Sequence, residues 1–203
     1  GTTRQGYNYA DYPQTTVGAD IPSWYFADKF KKPSLLYYNM ECLKGTTTDY
    51  YIWNHRLLPM IMVFAGRVDL NSVTPPTQKV WAGEGETPVV LVHTDWTWSD
   101  TDKYLGVKGG KARSSHAHMD AGSFVYDAYG VRWSMDLGRQ DYATLEVALK
   151  ALGGNLWTYT QASLRWEVSR LNNFFHSTLT VNDSKHRVEG FATLEQTINT
   201  ATE

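Results

Sequence analysis

The run Ser114-Ser115-His116-Ala117-His118-Met119-Asp120 gathers two imidazoles and a carboxylate within five residues. In an extended segment alternate side chains share a face, so His116 and His118 point the same way with Asp120 after them. Such a set can bind a metal, or can hold one histidine as a base while its neighbour binds the metal. Gly122, Ser123 and Phe124 lead directly into a strand-like run. The histidines therefore sit where a loop enters a sheet, a common place for chemistry.

Two distant residues extend the metal reading. Asp136 lies 18 positions after His118, and His176 lies 40 after Asp136. In Val131-Arg132-Trp133-Ser134-Met135-Asp136, the apolar residues take one face and Arg132, Ser134 and Asp136 the other. The run from His176 to Val181 alternates too, with His176, Thr178 and Thr180 on its polar face. Neutral imidazole nitrogens plus one carboxylate oxygen, with water in the fourth place, suit zinc or another divalent cation. Spacing alone leaves the alternative open that His118, Asp136 and His176 are separate polar residues bonded to backbone groups.

Around this set stand further candidates, each with an ordinary alternative. Tyr142 follows Asp136-Leu137-Gly138 and can reach the same cleft, or can be a packed rim tyrosine. Arg132 and Arg165 can bind sulfate or carboxylate groups. Arg132 shares its expected face with Asp136, so an internal ion pair competes. Trp96 and Trp98 can stack on sugars or fill a core. Asp120 reads as a loop brace that accepts backbone N–H bonds. His93 and His186 have no constellation around them. Gly109-Gly110 lacks the Lys-Ser/Thr and the helix of a phosphate loop.

The elements that must position these residues change character along the chain. Residues 1 to about 20 read as loop. Helices are expected from Asp20-Ile21-Pro22 to Phe30, from Ser34 to Lys44 with Gly45 as the stop, and from Asp49 to Ala65, where Pro59 kinks the helix or starts a fresh one. Residues 57–65 are apolar on nearly all sides, which predicts a buried helix. Residues 66–87 read as a linker. Strands are expected over 88–95, 103–108, 123–129, 131–136, 165–171, 176–182 and 186–195, with a helix over about 142–152. Helices followed by a mostly antiparallel sheet predict an α+β chain of two units, 1–80 and 81–203. Neither unit closes a core by itself, so the chain reads as a piece of a larger polypeptide.

Bulk properties narrow the partners. With 19 basic and 21 acidic residues, and no basic run beside the aromatics, the chain gives no sign of nucleic-acid binding. No apolar run approaches the ~20 residues that span a bilayer, and the first residues do not form a signal peptide. Aromatics make up 14%, including 8 Trp and 13 Tyr. That fits sugar-binding clefts and β-rich cores alike. The single Cys42 excludes an intrachain disulfide.

Taken together, Ser115-His116-Ala117-His118-Met119-Asp120-Ala121-Gly122-Ser123-Phe124, Gly130-Val131-Arg132-Trp133, Asp136-Leu137-Gly138 and Tyr142 resemble the heparinase II/III-like polysaccharide lyases. Trp157, Gln161–Trp166, His176-Ser177-Thr178-Leu179 and Tyr104–Gly110 extend the likeness, which covers about residues 88–190 well. The resemblance implies the last helices of an α/α toroid followed by a β-sandwich-type antiparallel domain, with β-elimination on an acidic polysaccharide in the cleft between. It implies zinc at His118, Asp136 and His176, a catalytic role for His116, and export to the periplasm or beyond. The family's catalytic tyrosine and carboxylate-neutralising His or Asn belong to toroid helices well before the His-x-His run. His55 is the one substitute in view, with a core histidine as its alternative. A non-catalytic carbohydrate-binding or structural β-domain competes with the lyase reading, and a glycoside hydrolase using Asp120 and Asp136 ranks third.

Overall fold

The computed structural model describes residue 3 and residues 5–12, 20–45 and 58–198. The candidate His55 lies outside them. The chain forms two compact units, one of residues 16–78 and one of residues 1–15 with 79–203. The first residues, read from sequence with the helices, thus belong with the sheet.

In the helical unit, Pro22 opens α1 (Pro22–Phe30), and Asp20 Oδ1 accepts from Ser23 N–H at 2.8 Å. Lys31 ends it in a left-handed conformation. A single 3-10 turn, Pro33–Leu36, runs into α2 (Tyr37–Gly45), and α3 spans Leu58–Ala65. Trp24, Ala27, Leu36, Ile61 and Phe64 form the core of this unit. The expectation of a helix buried all round is corrected here. Ile61 and Phe64 are buried, but Met62 is 75% exposed. Among the described residues, Met60, Met62 and Val63 of α3 are exposed.

The other unit is built on a five-stranded antiparallel sheet. Its strands are β1 (Val80–Gly83), β2 (Val89–His93), β3 (Tyr104–Lys108), β5 (Phe124–Ala128) and β6 (Val131–Ser134), ordered β1-β2-β3-β5-β6. A short pair joins β4 (Gly110–Lys111) to β7 (Phe191–Ala192). β1 lies inside the expected linker. Its four residues pair with β2 from Val80↔Val92 to Gly83↔Val89, too short a run to show alternation in sequence. On β3, Tyr104, Gly106 and Lys108 are buried, and Tyr7 and Tyr9 lie over that face. Thr3 Oγ1 donates to Asp127, Arg132 donates to the carbonyls of Gln5 and Gly6, and Tyr7 donates to Ser123 O. Gly106 is required by this strap, because a Cβ there would come within 2.7 Å of the Tyr7 ring.

Beside the sheet, α4 (Tyr142–Ala151) starts at Asp141, whose carboxylate accepts from Thr144 N–H, and ends at Gly153-Gly154, whose N–H groups return to Lys150 and Leu149 carbonyls. Leu145 and Leu149, one helical turn apart, pack with Met119, Leu156, Trp166 and Leu171. Three expected strands are corrected. Residues 165–171 form 3-10 turns, because Ser163 Oγ takes the Arg165 N–H and starts a helical turn. Residues 176–182 form no regular strand, and 186–195 contribute only β7. No helix among the described residues is long and apolar enough to cross a membrane.

Candidate active site

His116 and His118 lie in the loop between β4 and β5, and three anchors hold that loop. Met119 N–H donates to Leu171 O at 2.9 Å, which seats Met119 in the core beneath. Arg165 donates to Ala117 O, the carbonyl between the two histidines, at 2.9 Å. Tyr159 Oη accepts the His116 N–H at 3.1 Å. His116 itself adopts φ of +62°, a left-handed conformation uncommon for a residue with a Cβ. The result turns the two imidazoles to different environments: the His116 side chain is 55% exposed and that of His118 is fully buried.

His176 reaches His118 through backbone pairing. Phe124 N–H donates to Ser177 O, and Thr178 Oγ1 donates to Ala121 O, so residues 176–178 run beside the segment that follows the His-x-His loop. The His118 and His176 rings stand 5.4 Å apart between centroids. Asp136 follows β6, with Oδ2 at 2.7 Å from His176 Nδ1 and Oδ1 accepting Gly138 N–H at 2.7 Å. Burial pushes the His176 imidazole down, but the hydrogen bond and charge of Asp136 outweigh it and raise the group above its ordinary value. Asp120 is a brace, as expected: it accepts Ala10 N–H at 3.1 Å and pairs with the buried Lys108.

Two imidazole nitrogens here, His118 Nδ1 and His176 Nε2, are buried with no hydrogen-bond partner. Buried polar atoms are ordinarily paired, and unpartnered neutral imidazole nitrogens are the donors a zinc-type ion takes. The donor chemistry thus fits a metal. As placed, however, no group of three or more His, Cys, Asp or Glu among the described residues is gathered closely enough to hold one.

Above the loop opens a cavity of about 650 Å³ whose walls include Tyr7, Tyr9, Asp11, Lys108, Ser114 and His116. Asp11 is the residue that sequence reasoning missed. Its Oδ2 lies 2.7 Å from His116 Nδ1 and its Oδ1 3.2 Å from His118 Nε2, so one carboxylate bridges both imidazoles. Tyr142 Oη is 2.8 Å from the same His116 Nδ1, and Trp157 packs edge-on against both the Tyr142 and His116 rings. The signal for Asp11 was slight: alternating Tyr7 and Tyr9 within a segment otherwise read as loop. Burial pushes the Tyr7 hydroxyl far above the usual phenol range, and it donates to Ser123 O.

The two arginines expected at the substrate engage protein groups. Arg165 is fully buried, donating to Leu156 O and Ala117 O while lying over the Tyr159 ring. Arg132 pairs with Asp127 and holds the Gln5 and Gly6 carbonyls. Both guanidinium groups are buried and bind protein carbonyls or a carboxylate. Trp96 lies with one ring face on His93 at 4.2 Å and is not among the cavity walls.

Residues 86–199 match the family described as Heparinase II/III-like, C-terminal. The match spans more than half of the chain, and the chain belongs to that family. No curated protein matches it.

Proposed function

We propose, from membership of the heparinase II/III-like family, that this chain carries the β-sheet side of a polysaccharide lyase site acting on a uronate-containing glycan. The observation that carries the reading is His116: an exposed imidazole in a cleft, with Nδ1 engaged by Asp11 and Tyr142 and Nε2 left for a ligand. β-Elimination at a uronate removes the C5 proton, forms the C4–C5 double bond and expels the C4 oxygen, which takes a proton. His116 serves as the base at C5 or as the group that neutralises the adjacent carboxylate. Tyr142, in contact with His116, is the second acid–base group.

Zinc, or another divalent cation, would be held by His118, Asp136 and His176, and would supply a rigid charge that fixes the loop carrying His116. The helical unit, residues 16–78, would be the end of an α/α toroid, and the sheet unit the start of the β part. A tyrosine and a carboxylate-neutralising group from the toroid would complete the site. Such a substrate places the enzyme in the periplasm or outside the cell.

A non-catalytic carbohydrate-binding module is the competing reading. It is favoured by one observation: the Asp11 carboxylate at His116 Nδ1 would offset the positive charge with which that imidazole neutralises a substrate carboxylate. Incubation with sulfated and unsulfated uronate polysaccharides, followed by ultraviolet absorbance of unsaturated ends, separates the two. The lyase reading expects unsaturated product above the level of His116→Ala, slow wherever the toroid tyrosine is not supplied. Binding without product, at equal affinity in His116→Ala, would support the module.

A further inference from the structure

A single carboxylate in contact with two histidines of opposite exposure has consequences for both rings. An ionised carboxylate can only accept hydrogen bonds. At 2.7 Å from His116 Nδ1, Asp11 Oδ2 would face lone pair against lone pair unless that nitrogen carried the proton. The same holds at His118 Nε2, 3.2 Å from Oδ1. A carboxyl ordinarily ionises well below the pH at which an imidazole becomes neutral, so Asp11 accepts at both contacts.

We propose that Asp11 is the positioning residue of this site, and that its carboxylate sets the tautomers of both histidines, Nδ1–H in His116 and Nε2–H in His118. Two independent features agree with this assignment. In His118 the remaining nitrogen is Nδ1, which is the buried atom without a partner. Its lone pair is then free for a cation, and the carboxylate behind the ring fixes the orientation, as carboxylates commonly do behind metal-binding histidines. In His116 the remaining nitrogen is Nε2, the lone pair that the acid–base role requires.

Tyr142 makes the assignment testable. Its hydroxyl lies 2.8 Å from His116 Nδ1 and can donate there once that nitrogen has lost its proton. Removing Asp11 therefore reverses the tautomer rather than merely loosening the ring.

The inference rests on the lyase reading only in calling His116 the working base; the tautomers are measured without substrate. Nitrogen-15 NMR of the histidine rings in the whole chain, at a pH where they are neutral, reads them directly. The wild type is expected to show Nδ1–H for His116 and Nε2–H for His118. Asp11→Ala is expected to switch His116 to Nε2–H, and the added Tyr142→Phe to remove the remaining partner at Nδ1 and leave a mixture. Asp11→Asn offers one acceptor and one donor, so one of the two rings, and not both, should reverse. A wild-type His116 already protonated at Nε2, or unchanged tautomers in both Asp11 variants, would overturn the proposal. Absence of lyase product with these tautomers in place would sink the enzymatic reading alone.

Discussion

His116 owes its position to the side chains of Arg165 and Tyr159. The Arg165 guanidinium holds the Ala117 carbonyl, and Tyr159 takes the His116 N–H. Hydrogen bonds from a charged group contribute roughly 1.5–3 kcal/mol each. Replacing Arg165 by Met, which fills similar space without donors, should cost on the order of 3 kcal/mol by denaturant unfolding and should also weaken metal binding. Wild-type stability in Arg165→Met would mean that the loop is fixed by other contacts. At this scale the sequence was readable where neighbours in space are neighbours in the chain. His116 and His118 announce themselves by their spacing. Asp11 stands more than a hundred positions earlier, and nothing local marks one aspartate among tyrosines as their shared partner. The arginines misled for a related reason, because a guanidinium spent on buried carbonyls looks the same in sequence as one offered to a sulfate.

Elements whose signal was alternation fared by length and by competition. β2, β3, β5 and β6 all fall within the expected ranges; burial alternates clearly along β3, whereas the apolar face of β6, Val131 and Trp133, is exposed. Residues 165–171 and 173–175 also hold apolar residues in plausible patterns, but Ser163 and Asn172 accept backbone N–H groups two residues on and turn the chain into 3-10 structure. Such side-chain capping outweighs a weak strand preference. For α4 the same chemistry agreed with the pattern. Its Leu149 is buried under Met119 and Trp166, and Leu149→Ala should lower stability by about 2–5 kcal/mol, measured by urea unfolding. Little change would show that the helix packs only loosely. The hydrogen bonds from Thr144 N–H and its side chain hold the Asp141 carboxyl below the ordinary carboxylate value. A carboxyl with a depressed folded value stabilises above its unfolded value, near 3.8, and loses that contribution as pH falls through the folded one. Melting of α4 should therefore become easier below about pH 4, and Asp141→Asn should flatten that dependence in circular dichroism.

For the whole molecule, the division near residue 78 reflects a change from helical to alternating pattern, but the first twelve residues cross it and deliver Asp11 to the sheet. Membership of the heparinase II/III-like family rests on the second unit, residues 86–199. The role proposed for His116 requires a metal on His118 and His176 to brace its loop. Elemental analysis of the purified chain, beside a His118→Ala, His176→Ala double variant that keeps its circular dichroism spectrum, tests this most directly. One equivalent of zinc in the wild type and none in the variant is the expected result. Negligible metal in both, after exposure to excess zinc, would contradict it and leave His118 and His176 as buried polar residues of an ordinary fold.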